Sequence, residues 1–107
     1  MNLNQIHNVF FIGIGGIGMS ALARYFKTIG KQVSGYDKTP SMLTDELIAS
    51  GIDIHFEDHI DLIPKEYYVE NTLVIITPAV PVSHSQWNYF LEREYQVKKR
   101  AEVLGII

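Results

Sequence analysis

Cysteine is absent from this chain of 107 residues, and that absence excludes several kinds of chemistry. The protein can contain no disulfide framework, no thiolate nucleophile and no zinc site of the cysteine type. The first residues also lack the basic segment followed by an apolar segment that marks a secretory signal. We therefore expect a cytoplasmic protein.

Long apolar runs and an excess of positive charge are lacking as well. No run approaches the ~18 apolar residues of a membrane-spanning helix, so we predict no membrane partner. The formal net charge of −3 and the pI of about 5.7 leave no basic field for nucleic acid, which we exclude as a partner. Hydrophobic residues make up 47% of the chain and charged residues 20%, which indicates one ordinary globular domain spanning residues 1–107.

Motifs for ATP binding and for nucleophilic catalysis are missing too. A P-loop requires the pattern G-x-x-x-x-G-K-[ST], and the sole Gly-Lys pair, Gly30-Lys31, has Tyr25 and Gln32 at the other two defining positions. Neither Ser20 nor Ser34 belongs to a recognisable arrangement of serine, histidine and acid. We therefore predict no catalytic residue in this chain.

Several residues that could serve a site are better explained by structure. Three histidines have no partners at metal-ligand spacing, so we predict surface or hydrogen-bonded positions for them and no metal site: His7, His55 and His84. Three large side chains lie on apolar helix faces, and we assign them to core packing: Met19, Met42 and Trp87.

The most informative feature present is a glycine cluster that follows an apolar run. Residues Val9–Ile12 suit a strand buried on both faces of a parallel sheet, and a helical pattern follows the cluster. Gly13, Gly15 and Gly18 have the spacing G-x-G-x-x-G, in which the glycines allow a sharp turn, the approach of a phosphate and close packing of the helix on the sheet. Amides at the helix start would then face a diphosphate. The alternative is a tight strand exit with no ligand.

An acid stands where a nucleotide-binding fold requires one. The predicted strand Val33–Asp37 ends in Asp37, roughly twenty residues beyond the last glycine of the cluster. A carboxylate at this position accepts hydrogen bonds from a ribose or a base. The alternative is that Asp37 opens the turn through Lys38–Pro40 or caps the next helix.

Strand and helix patterns alternate along the whole chain, which predicts an α/β, Rossmann-like three-layer fold with a mostly parallel sheet of about five strands. The predicted strands are Val9–Ile12, Val33–Asp37, Ile52–Phe56, Thr72–Ile76 and Tyr95–Lys98. The predicted helices are one through Met19–Ile29 that Gly30 ends, one that Thr39 or Ser41 caps and Gly51 ends, a short turn at Ile60–Ile63, and one that Ser83 or Ser85 caps.

Ligands of such folds bind outside the carboxyl ends of the strands. Four predicted features fall at that edge: the loop Gly13–Gly18, Asp37, His59 and the segment Thr77–Ala79. Their agreement on one edge favours a ligand site more than any one of them does.

Four segments together resemble the first domain of the Mur ligases: Phe11–Ser20, Val33–Asp37, the strand end with an acid before His59, and Lys99–Leu104. The resemblance implies that this domain binds the UDP moiety of UDP-N-acetylmuramate, while ATP, Mg and an amino acid bind in central and C-terminal domains. In the branch that the chain resembles most, the lactyl carboxylate becomes an acyl phosphate and the L-alanine amine attacks it. A branch that recycles murein peptides is the alternative.

By the same resemblance, the UDP site comprises backbone and side-chain groups of twelve residues: Gly13, Gly15, Gly16, Ile17, Gly18, Met19, Ser20, Asp37, His59, Thr77, Pro78 and Ala79. Backbone groups and the Ser20 hydroxyl would hold the diphosphate, and Asp37 would hold the uridine. The chain departs from the family pattern at Asp58, where glycine is frequent, and at Thr77–Val80, where a Ser-Ser-Ala-Ile segment is frequent. For His59, ligand contact and a structural role both remain open.

The ATP-binding and C-terminal domains are absent from this sequence, so we expect no ligase turnover from this chain alone. Two readings from other classes remain. The nicotinamide-binding domain of an oxidoreductase shares the glycine loop and the acid, and a sensing module could bind a nucleotide and dimerise. The terminal Arg-Ala-Glu string, residues 100–102, favours the ligase, and Arg100 and Glu102 either pair with each other or face a neighbouring domain.

Overall fold

The computed structural model describes residues 2–107 and shows a parallel sheet of five strands with helices on both faces. Met1, the first residue of the predicted domain, lies outside the described residues. The strands are β1 (Asn8–Ile12), β2 (Gln32–Tyr36), β3 (Asp53–His55), β4 (Thr72–Ile76) and β5 (Gln96–Lys99). The helices are α1 (Ile17–Thr28), α2 (Met42–Ala49), α3 (Ser85–Glu92) and α4 (Arg100–Leu104), with 3₁₀ turns at Leu3–Gln5 and Ile60–Leu62. The predicted fold class is confirmed.

The strand order, β3-β2-β1-β4-β5, brings the predicted site loops to one edge of the sheet. Ile12 at the end of β1 lies beside Tyr36 of β2 and Ile76 of β4, so these three strands end level with one another. The strand order reverses between β1 and β4, and a crevice forms outside the carboxyl ends of parallel strands at such a point. The loops after β1, β2 and β4 therefore border one crevice.

Successive residues of β1 point into two separate hydrophobic cores, because side chains alternate across a strand. Phe11 packs under α1 with its ring 6.4 Å from that of Phe26. Phe10 packs on the opposite face with its ring 5.2 Å from that of Phe90 in α3. All five residues of β1 are buried, and each fully buried phenylalanine contributes about 1.5–3 kcal/mol. The glycine loop thus begins from the central strand of the sheet, which is buried along its whole length.

Local signals set the lengths of the first two helices. Gly30 and Gly51 follow α1 and α2 with φ angles of +91° and +97°, the left-handed conformation that ends a helix. Ser41 caps α2 in a reciprocal pair of bonds with Thr44, which confirms one of the two predicted caps. None of the helices formed by residues 2–107 combines the length and the apolar character that crossing a membrane requires.

Two predictions about side chains are wrong. Helix α3 is capped by His84, whose Nδ1 accepts the Trp87 amide at 3.2 Å, and not by Ser83 or Ser85. Met42 is 77% exposed, because it begins α2 on the solvent side while a different face of that helix packs on the core. The prediction of core packing is confirmed for Met19, and Trp87 is partly buried against the core under α3.

Candidate functional site

The glycine loop leaves β1 through a turn that needs its first glycine. Gly13 has a φ of +92°, and a Cβ atom at this position would collide with the methyl group of Thr77. The amides of Gly13 and Ile14 both donate to the Tyr36 carbonyl, at 2.8 and 3.0 Å. The predicted role of Gly13 in a sharp turn is confirmed, and both of these amides are used within the fold.

Gly15 provides space for a carboxylate of the protein itself. Its amide donates to Oδ2 of Asp37 at 2.7 Å, and a Cβ atom here would lie 2.8 Å from the same oxygen and 3.0 Å from the Thr44 methyl carbon. The spacing had assigned this space to an approaching phosphate. In the structure the Asp37 carboxylate occupies this space, and the approach of a phosphate to Gly15 stays a prediction.

The start of α1 carries the amides that can hold an anion. Ser20 is the first residue whose amide bonds back, to the Gly16 carbonyl at 2.8 Å, so the preceding amides of Ile17, Gly18 and Met19 have no acceptor within residues 2–107. Gly16 caps the helix without a side chain. These amides lie at the positive end of a helix of 12 residues. They form an anion-binding arrangement at the helix start, where the motif predicted it.

The Ser20 hydroxyl is engaged inside α1. Ser20 is buried, and its hydroxyl donates to the Ile17 carbonyl at 2.9 Å. Contact between this hydroxyl and a diphosphate would require that bond to break.

Gly18 provides space for a guanidinium group. A Cβ atom on Gly18 would collide with the Arg100 side chain, whose Cζ would lie 2.6 Å away. The glycine that the motif assigns to helix–sheet packing therefore lets Arg100 lie across the start of α1. Arg100 forms no ion pair within the described part of the chain, and Glu102 instead accepts the Lys99 amide at 2.8 Å. A positive group thus stands beside the three available amides.

Two cavities flank the loop, and Gly16 and Thr77 border both. The first cavity has a volume of about 540 Å³ and includes these lining residues: Gly13, Tyr36, Asp37, Lys38, Asp58, Ala79, Val80, Pro81 and His84. The second has a volume of about 370 Å³ and is completed by these residues: Gly18, Met19, Pro78, Lys99, Arg100 and Ala101. A ligand that lies across the glycine loop would therefore occupy both cavities.

The two cavities differ in charge. Asp37 and Asp58 line the first cavity with Lys38, whereas Lys99 and Arg100 line the second without an acid. A negatively charged group is favoured on the second side, and a neutral group rich in hydrogen-bond donors is favoured on the first.

Asp37 forms the turn that its sequence position suggested as one of two roles, and it also bonds to the glycine loop. Its Oδ1 accepts the Thr39 amide at 3.1 Å, which forms the expected turn, and its Oδ2 accepts the Gly15 amide. The same carboxylate lines the first cavity. Contact between Asp37 and a ligand stays a prediction.

His59 and its neighbour Asp58 lie in different places. The His59 side chain is 59% exposed, lines neither cavity, and caps the following 3₁₀ turn by accepting the Asp61 amide at 3.1 Å. Asp58 reaches the first cavity instead. Of the two roles left open for His59, the structure shows the structural one.

The segment after β4 borders both cavities. The Thr77 amide donates to the Ile12 carbonyl at 3.1 Å and holds the segment beside the glycine loop. Thr77 and Ala79 line the first cavity, and Pro78 lines the second. The structure therefore brings this predicted segment to the glycine loop.

Sequence reasoning missed His84, which is buried at the first cavity and remains only 5% exposed. Its ring packs edge-on against Tyr36 at 4.7 Å between centroids. Burial lowers the pKa of the imidazole, while the Asp58 carboxylate opposes that shift. A signal in the sequence could have indicated His84. It lies between the end of a predicted strand and the start of a predicted helix, at the edge of the sheet where the predicted site residues lie.

A second histidine belongs to the same polar layer. His55 is half-buried, and its Nε2 lies 2.7 Å from Nε2 of Gln86, which also donates to the His59 carbonyl at 2.8 Å. Burial lowers the pKa of His55, and the Gln86 bond opposes the shift. The hydrogen-bonded position predicted for His55 is confirmed.

Comparisons with known proteins identify the family of the chain. The sequence model of the family described as "Mur ligase family, catalytic domain" matches residues 8–107. The UDP-N-acetylmuramate--L-alanine ligase of Flavobacterium psychrophilum is 88% identical over 107 residues, which cover 100% of this chain and 24% of that protein. The chain therefore spans about a quarter of the length of this curated relative.

Two solved structures share the fold. The UDP-N-acetylmuramate-alanine ligase of Thermotoga maritima matches with a TM-score of 0.81 and 29% identity, over 91% of this chain and 21% of that one. The UDP-N-acetylmuramate:L-alanyl-gamma-D-glutamyl-meso-diaminopimelate ligase of Neisseria meningitides matches with a TM-score of 0.79 and 22% identity, over 92% and 30% of the two chains, which bears on the fold alone. Because the family match covers nearly the whole sequence, this chain belongs to the Mur ligase family.

Proposed function

We propose that this chain is the substrate-binding part of an ATP-dependent ligase that adds L-alanine to UDP-N-acetylmuramate, and that it binds the UDP moiety. The observation that carries the proposal is the group of three available amides at the start of α1 with the Arg100 guanidinium across them. The identity of 88% to a UDP-N-acetylmuramate--L-alanine ligase supports this choice of substrate and amino acid.

The diphosphate lies on the amides of Ile17, Gly18 and Met19. The dipole of α1 contributes about 0.3–1 kcal/mol to an exposed anion at this position. Each charge-assisted hydrogen bond adds about 1.5–3 kcal/mol, and Arg100 supplies such a donor from the second cavity. The side of the loop with Lys99 and Arg100 thus holds the more strongly charged portion of the substrate.

The uridine occupies the first cavity. Its volume of about 540 Å³ falls within the range of roughly 300–1,000 Å³ that small-molecule sites cover. Asp37 is bonded to the glycine loop through Gly15, so its carboxylate lies beside the phosphates and accepts a ribose hydroxyl. Thr77 and Ala79 border the same space.

ATP, Mg and L-alanine are assigned to other parts of the intact enzyme. The residues of this chain do not fit an ATP site, because they include no P-loop sequence and the available amides lie at a G-x-G-x-x-G loop. The remaining three quarters of a relative's length leave room for a central and a C-terminal domain. No ligase turnover by this chain alone is expected, and a cytoplasmic location stays a prediction.

Thermal unfolding with different ligands tests the proposal. UDP-N-acetylmuramate, UDP, NAD and ATP are added in parallel, and a ligand at a hundred times its Kd stabilises the fold by about 2.7 kcal/mol. We expect the two uridine ligands to raise the Tm and ATP to leave it unchanged. Stabilisation by NAD alone would contradict the ligase assignment in favour of an oxidoreductase domain.

A further inference from the structure

The Asp58 carboxylate is held at the edge of the first cavity by a helix that lies far away in sequence. Its Oδ2 accepts the Ser85 amide at 2.7 Å and its Oδ1 accepts the Gln86 amide at 2.9 Å, both at the start of α3. The Asp58 side chain is 28% exposed and lines the cavity. It therefore presents a fixed negative group to a ligand.

The buried imidazole of His84 lies beside the same carboxylate. Nε2 of His84 lies 3.4 Å from Oδ1 of Asp58 and makes no hydrogen bond within residues 2–107. Because Nδ1 of His84 accepts the Trp87 amide, the proton of the neutral ring is on Nε2, facing Asp58. A carboxylate offers about four acceptor positions, and the amides of Ser85 and Gln86 occupy two of them, while the His84 ring lies close to Oδ1 without a hydrogen bond. Because the Asp58 side chain is partly exposed and lines the first cavity, a ligand there can reach a free acceptor position.

The group that binds there must be a hydrogen-bond donor. Ionised phosphates carry no donor and are repelled by Asp58, so the nucleoside supplies the group. Asp37 is bonded to the glycine loop, beside the proposed position of the phosphates, whereas Asp58 is bonded to the start of α3. In a nucleoside diphosphate the ribose adjoins the phosphates and the base lies beyond it. We therefore assign the base to Asp58, in the cavity that Val80 and Pro81 also line.

We propose that Asp58 is a specificity-determining residue that accepts a hydrogen bond from the imide N3–H of the uracil ring. The inference rests on the proposed binding of UDP and adds the residue that reads the base. The uracil ring has no other N–H group once it is joined to ribose at N1, so methylation of N3 removes the donor completely.

Calorimetric titration with three ligands tests the assignment. UDP, N3-methyl-UDP and 2′,3′-dideoxy-UDP are titrated into the unaltered chain, into Asp58→Ala and into a matched control, Asp53→Ala, whose exposed carboxylate lies at the start of β3 outside the first cavity. Loss of a hydrogen bond to a charged group corresponds to a change in Kd of about ten- to a hundredfold. We expect that loss when N3 is methylated, in the unaltered chain and in Asp53→Ala.

The effects of Asp58→Ala and of N3 methylation on the free energy of binding should not be additive. In Asp58→Ala the penalty for N3 methylation should disappear, while the penalty for removing the ribose hydroxyls should persist. An N3-methyl penalty that is the same with and without Asp58 would overturn the proposal, and so would loss of the ribose penalty in Asp58→Ala. If Asp58→Ala does not fold, equal affinity of the unaltered chain for UDP and N3-methyl-UDP overturns the proposal by itself.

The proposed binding of UDP and the proposed role of Asp58 can be refuted separately. No binding of UDP to the unaltered chain would overturn the proposed function and this inference together. Binding of UDP without discrimination against N3-methyl-UDP would overturn the role of Asp58 and leave the proposed function standing.

Discussion

Replacing Gly18 by alanine should weaken ligand binding without weakening the fold. The Cβ atom of alanine would take the space that the Arg100 guanidinium occupies, and Arg100 is an exposed, flexible side chain that can move away. Gly18 lies within α1, where alanine is favoured over glycine by at most about 1 kcal/mol. We therefore expect the free energy of unfolding to stay unchanged or to rise slightly.

The loss of affinity follows from the displaced guanidinium. A charge-assisted hydrogen bond to a phosphate is worth about 1.5–3 kcal/mol, and the exposure of Arg100 favours the lower value. A loss of about 1.5 kcal/mol corresponds to a roughly tenfold higher Kd for UDP. Urea unfolding measures the first quantity and calorimetric titration with UDP measures the second.

Arg100→Ala and the double variant provide the control. Arg100→Ala should raise the Kd for UDP by the same factor as Gly18→Ala, and the double variant should bind no more weakly than either single variant. Unchanged affinity in Gly18→Ala would refute the placement of the guanidinium beside the phosphates. Additive losses would show that the alanine methyl obstructs the ligand directly.

Three further predictions concern the fold. Gly13→Ala should lower the free energy of unfolding in urea by about 1–3 kcal/mol or more, because the residue combines a positive φ with the Thr77 methyl contact, and an unchanged urea midpoint would contradict this. Phe10→Ala should lower it by about 3–5 kcal/mol in the same assay, since Phe10 is fully buried, and a loss below 1 kcal/mol would argue against its core position. Burial lowers the pKa values of His55 and His84, so the unfolded chain takes up protons first as the pH falls below the ordinary value of 6.5. Stability should therefore decrease as the pH falls below about 6.5, the ordinary histidine value, and level off below the folded-state pKa values. The decrease should be less steep in His84→Asn, and a flat profile in the unaltered chain would refute the burial argument.

Much of the fold followed from local patterns. The predicted strand Thr72–Ile76 agrees with β4 at both ends, because a continuous apolar run is typical of a central parallel strand. The stops at Gly30 and Gly51 and the cap at Ser41 depend on the conformational freedom or hydrogen bonding of a single residue. Such signals act within about four residues, so they can be recognised without the rest of the chain.

The contacts that shape the site join residues that are distant in sequence. Asp37 bonds to Gly15, 22 residues earlier, and Asp58 bonds to the amide of Ser85, 27 residues later. Arg100 reaches Gly18 from the opposite end of the chain. No local sequence pattern predicts these contacts, because each depends on how the strands are ordered in the sheet.

The sequence by itself determined the α/β fold, the glycine loop and the edge of the sheet at which the predicted site residues meet, since strand burial, helix ends and turns are encoded by neighbouring residues. Only the tertiary structure decided which amides remain available, which side chains fill the spaces left by Gly15 and Gly18, and that Asp58 rather than His59 faces the cavity. The physical reason is that hydrogen-bond donors and empty volume are shared between segments, and a donor is free only if no distant acceptor reaches it.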